Sequence, residues 1–132
     1  MSTHTPGPWS FSRWEQLGDT RFYVAQADGA PYTPNYSDVA TLVAETASGE
    51  RVAIQEANAC LIAAAPELLE ACHTFALWCQ REEAGFPDAA SRRSTPEGEQ
   101  EWRKWYNENL RLCALAQEQA NAAITKATGV QS

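Results

Sequence analysis

The chain is poor in groups that perform chemistry. Only two imidazoles, His4 and His73, occur in 132 residues. The sequence contains no HExxH, no GxGxxG and no glycine-rich phosphate loop with its lysine. A Cys72-His73 nucleophilic pair is disfavoured, because neighbouring side chains on a helix point in different directions. Glu67 with Glu70, and Glu97 with Glu101, have same-face helical spacing. Such pairs read as solvated helix surface or first-turn electrostatics. The expectation is a non-enzyme with no catalytic residue, no metal and no cofactor.

Positive charge is also scarce. Ten Lys and Arg face 17 Asp and Glu, a formal charge of −7. A stable complex with a nucleic-acid duplex needs a basic stripe, and none is present. The nearest feature is Arg92-Arg93, enough to grip a small phosphorylated ligand or a partner's carboxylates. The acids are too dispersed for mimicry of DNA. Apolar runs fall short of membrane-spanning length. Met1-Ser-Thr-His-Thr-Pro6 has neither the basic start nor the apolar core of a signal peptide. The four cysteines, Cys60, Cys72, Cys79 and Cys113, all lie in expected helices. Cys72 and Cys79 are separated by about 10 Å of helical rise, too far for a disulfide within one helix. Apolar neighbours suggest buried free thiols.

Aromatic residues are plentiful by contrast: five Trp, four Tyr and four Phe. A chain of 132 residues fits a single domain spanning 1–132. Its organisation reads as α+β, a small antiparallel N-terminal β-meander followed by a long helical hairpin. Residues 4–54 are the β-rich part. Trp9, Phe11 and Trp14 open an alternating stretch, and Arg21–Ala27 is a strand closed by the turn signal Asp28-Gly29. Pro31–Asp38 is a surface loop, Val39–Thr46 the next strand, and Ser48-Gly49 a turn. Arg51–Ile54 is a last short strand or the lead-in to a helix.

From residue 55 the period changes to that of a helix. Ile54, Asn58, Leu61, Ala65, Leu68, Cys72, Phe75 and Cys79 recur every three or four positions. This first helix spans 55–83, with Pro66 kinking or dividing it. A polar connector covers 84–95. Thr95 and Pro96 then start a second helix over 96–128, ending near Gly129. Ala63-Ala64-Ala65 and the run from Ala116 to Ala127 favour close helix approach, and a homodimer is expected to cover the remaining surface. The site residues expected for a ligand or partner are Trp14, Tyr32, Tyr36, Arg92, Arg93 and Trp105. Trp102 and Tyr106 are expected to cover the sheet, leaving Trp105 as the outward ring. Aromatic rings with arginines stack on a nucleobase or form a protein hot spot.

Two segments carry a resemblance. His4-Thr-Pro-Gly-Pro-Trp9 and Glu56-Ala-Asn-Ala-Cys-Leu-Ile-Ala-Ala-Ala-Pro-Glu-Leu-Leu-Glu70 together resemble a family of small bacteriophage and prophage proteins. The resemblance implies a phage origin and work in the host bacterial cytoplasm, with no catalytic residues to carry over. The function expected is a non-enzymatic accessory protein that inhibits or sequesters a host defence component. One alternative is a sponge that binds a cyclic or nucleotide-derived signal between subunits. A small hydrolase is a third.

Overall fold

The computed structural model describes residues 4–27, 42–47, 49–87 and 93–129. The first two strands, β1 (Trp9–Gln16) and β2 (Asp19–Gln26), pair in an unbroken antiparallel register from Trp9↔Gln26 to Gln16↔Asp19. The two residues between them, Leu17 at φ 55° and Gly18 at φ 81°, both adopt left-handed conformations. That is the primed turn whose twist matches paired strands. A third strand, β3 (Leu42–Glu45), pairs antiparallel with β2, with an irregularity at Val24/Ala25. The order β1-β2-β3 is the expected meander. The expected Asp28-Gly29 turn, the Pro31–Asp38 loop and Ser48 of the later turn lie outside the described residues.

Strand alternation puts Phe22 and Val24 on one face of β2, where both are buried. The covering helix is α1 (Val52–Ala63), which meets that face through Gln55, Ala59 and Ala63. The buried side of α1 is therefore not the expected Ile54–Asn58–Leu61 stripe; Ile54 and Leu61 are exposed. The sheet already supplies the large side chains, so the helix must offer small ones for the layers to fit closely. Gln55 is buried beside them with both ends of its amide hydrogen-bonded. Phe22 N–H donates to Thr46 Oγ1 at 3.0 Å, and Thr46 Oγ1 donates to Gln55 Oε1. Gln55 Nε2 donates to Glu50 O at 2.9 Å. This bond holds the loop before α1, whose N-cap residue Arg51 makes no side-chain cap.

A second helix, α2 (Ala65–Ala84), follows after a break at Ala64, and the two axes are bent by 45°. Pro66 sits in the first turn of α2. It has no N–H to give Ile62, and its ring would crowd that carbonyl in a continuous helix. Its ring is also a packing surface: a Cβ on Gly7 would come within 2.7 Å of Pro66 Cβ. The two segments singled out in the sequence thus fold against each other. The last helix, α3 (Pro96–Thr128), starts as expected, with Thr95 Oγ1 accepting from Gly98 N–H at 3.0 Å. It ends before Gly129 at φ 70°.

The chain divides into two compact units. The sheet unit comprises 1–69 and 121–132, and the helical unit 70–120. Within the helical unit the two helical segments run antiparallel. Gln119 Nε2 donates to Glu70 Oε1 at 3.2 Å near one end. Near the other, Arg81 Nε donates to Asn109 Oδ1 at 2.6 Å, and Asn109 Nδ2 donates to Glu82 Oε1 at 3.1 Å.

Candidate functional site

Aromatic and arginine side chains of the helical unit gather around the first half of α3. On α3, the buried or half-buried positions Gly98, Trp102, Trp105, Asn109, Leu112 and Ala116 recur at three- and four-residue spacing. That stripe is the inward face. Trp105, expected to point outward, belongs to it and packs on Phe86 with ring centroids 6.0 Å apart. Tyr106 sits one position round the helix and is 45% exposed. The expectation that Trp102 and Tyr106 cover the sheet is also replaced: α1 covers it, and these two rings stack on each other. Their centroids are 5.1 Å apart and their planes 11° from parallel.

Arg93 completes the stack. Its guanidinium carbon lies 3.8 Å from the Trp102 ring centroid. Its Nε donates to Glu99 Oε2 at 3.2 Å, and Glu99 also pairs with Arg103 at 3.7 Å. The hydrogen bond from Arg93 holds the Glu99 carboxyl below the usual carboxylate range, with the charges of Arg93 and Arg103 adding to it. The result is a ladder of guanidinium, indole and phenol, anchored at one end by a carboxylate. Arg93 was among the candidates read from the sequence. Glu99 and the Trp102–Tyr106 stack were not, although their i, i+4 spacing from Trp102 to Tyr106 and from Glu99 to Arg103 is the signal that would have found them.

Trp14 lies in the sheet unit, 38% exposed, edge-on to Tyr23 at 6.1 Å on the sheet face opposite Phe22. Tyr32, Tyr36 and Arg92 lie outside the described residues. The cysteines are free but not deeply buried as expected: Cys72 is exposed and Cys60, Cys79 and Cys113 are half-buried. Among the described residues, no group of three or more His, Cys, Asp or Glu is placed to hold a metal ion.

The sheet unit holds a separate feature, an open cleft of about 750 Å³. Phe11, Ala57, Cys60, Ala122 and Lys126 are among its lining residues. Lys126 Nζ donates to Trp9 O at 2.9 Å and to Glu67 Oε1 at 2.7 Å. Cys60 Sγ donates to Lys126 O at 2.9 Å. This lysine therefore ties the end of α3 to β1 and to the first turn of α2. Its charge is committed to Glu67.

Among the described residues no single helix is long and apolar enough to cross a membrane; α1 and α2 reach that length and apolarity only as a bent pair. No characterised protein and no solved structure matches the chain. A model of one bacteriophage protein family does match, over residues 1–131, and the chain belongs to that family, described as Salmonella phage P22 protein Y8K6.

Proposed function

We propose that this phage protein is a non-enzymatic accessory factor that works in the host cytoplasm and inhibits or sequesters a protein of the host's defence. The observation that carries this reading is the Arg93–Trp102–Tyr106 ladder. Trp, Tyr and Arg are the residues that dominate protein binding energy, and stacked rings lose little entropy on contact. The guanidinium is already committed to Glu99 and to the Trp102 face. It therefore suits a flat, mixed protein surface better than a free phosphate, which would have to displace Glu99.

A second reading, a sponge for a nucleotide-derived signal, is supported by the cleft, whose volume is in the range of small-ligand sites. Against it, the one basic residue lining that cleft is paired with Glu67.

The test combines affinity capture from host cells with calorimetry against a panel of cyclic and linear nucleotides. The protein reading expects one defined host protein that rebinds the purified chain as a binary complex, weakened roughly 10- to 100-fold by Tyr106→Ala or Arg93→Ala, with no nucleotide heat. Stoichiometric nucleotide binding with no binary protein complex would replace it with the sponge. Recovery of the chain in stoichiometric amounts with purified phage particles would replace both with a virion role.

A further inference from the structure

We propose that the hairpin end of β1 is a self-association edge, and that two copies of this chain join there by antiparallel β1–β1 pairing centred on Trp14. The inference is independent of the function proposed above. It begins with where the backbone groups of β1 point. In a hairpin closed by two residues, the pair flanking the turn is hydrogen-bonded. Here that pair is Gln16↔Asp19, and alternation makes Trp14↔Arg21, Ser12↔Tyr23 and Ser10↔Ala25 the other bonded pairs. The bond from Ala27 N–H to Pro8 O, 2.9 Å, continues the same series. The amides and carbonyls of Trp9, Phe11, Arg13 and Glu15 therefore point away from β2.

At Trp9 this outer edge is closed, because Lys126 Nζ occupies the carbonyl. From Phe11 to Glu15 it is open: these residues are exposed, and β1 is an outer strand of the sheet with no described residue bonded along that edge. Natural edge strands are usually blunted by proline, a bulge or charged side chains. This stretch has no proline and an unbroken register, and its two charges, Arg13 and Glu15, are of opposite sign and pair with each other.

Charge then selects the register. Bonded pairs across the new edge must join residues from the set 11, 13 and 15. Pairing Arg13 with the partner's Arg13 opposes like charges, which is destabilising. Moving the two-fold axis to Trp14 places Arg13 opposite the partner's Glu15, and Glu15 opposite the partner's Arg13. Each carboxylate exchanges its present neighbour on the same strand, Arg13 to Glu15, for an equivalent one across the interface. Four backbone hydrogen bonds form, two per bonded pair. The two Trp14 side chains meet at the non-bonded central position, where opposite side chains come closest. Since Trp14 already contacts Tyr23, the outer face gains a continuous Tyr23–Trp14–Trp14–Tyr23 row across a six-stranded sheet. The partner strand ends before Trp9, so Lys126 is left undisturbed.

Sedimentation velocity on the full chain over a concentration series tests this, with circular dichroism to confirm folding. The wild type is expected to dimerise. Arg13→Glu alone and Glu15→Arg alone each oppose like charges twice, and each is expected to weaken the dimer roughly 10- to 100-fold. An equimolar mixture of the two variants restores both ion pairs and is expected to give a heterodimer. A monomeric wild type would overturn the proposal. So would a dimer unaffected by either substitution, which would place self-association elsewhere, or two monomeric variants that fail to combine.

Discussion

The sheet unit and the helical unit are built on different principles. In the sheet unit, Phe22 and Val24 are sealed beneath Ala59 and Ala63, and the buried polar groups Thr46 and Gln55 satisfy each other and the backbone. Among the described residues of the helical unit the buried side chains are small or polar, Ala71, Ala116 and Asn109, with Leu112 the one large aliphatic residue. Its larger apolar groups lie outside: Phe75 is 55% exposed and Leu110 53%. A few alanines contribute little buried area. Register there depends on Asn109, held between Arg81 and Glu82. One unit closes a core around large side chains and the other is held by small and polar ones; both expose larger apolar groups, Leu61 at 53% and Ile124 at 54% among those of the sheet unit. The recognition surface proposed here belongs to the second.

The comparison breaks most sharply at Thr46. Thr46→Val keeps the shape but strands the buried Phe22 N–H and Gln55 Oε1, and should cost about 3 kcal/mol in denaturant unfolding. The loss should fall first on the β2 and α1 amides. Asn109→Ala removes two bonds to charged partners that can turn back to water, so a smaller loss, about 2 kcal/mol, is expected. Hydrogen exchange should speed up within 70–120 before β2 responds. Equal acceleration in both units would mean that they unfold as one.

A gain is expected at the hairpin turn. Leu17 holds a left-handed φ and is 99% exposed, so its side chain contributes strain and no packing. Leu17→Asn should stabilise the sheet unit by about 1 kcal/mol, read as a higher denaturant midpoint with unchanged slope. The smallest effect concerns Glu99. Its carboxyl titrates lower in the folded chain than in the unfolded one, so its contribution is present above the ordinary carboxylate value. That contribution fades as pH falls through the depressed value. Arg93→Ala should move the Glu99 titration, followed by carboxyl NMR, back up; no movement would separate the ladder from its carboxylate anchor.

What could be read from the sequence divides along physical lines. Local signals worked: the strand over Arg21–Ala27, the Thr95-Pro96 helix start and the break near Pro66 all follow from local residue chemistry. The helix faces did not. Ile54 and Leu61 are the hydrophobic choice on α1, but which side turns inward was decided by the size of Phe22 and Val24 in another element. Trp105 was misplaced for a related reason: three aromatic residues within five positions cover more than one face, and only packing shows which face turns inward. The Leu17-Gly18 turn was missed because leucine is not a residue that favours positive φ.

Hydrogen–deuterium exchange on the free chain and on its complex with the captured host protein tests the central claim most directly. The account predicts faster exchange in 70–120 than in β2 and α1 when the chain is alone, and new protection centred on residues 93–110 in the complex. Protection confined to the sheet, or helical-unit amides as slow as those of β2 before any partner is added, would contradict it.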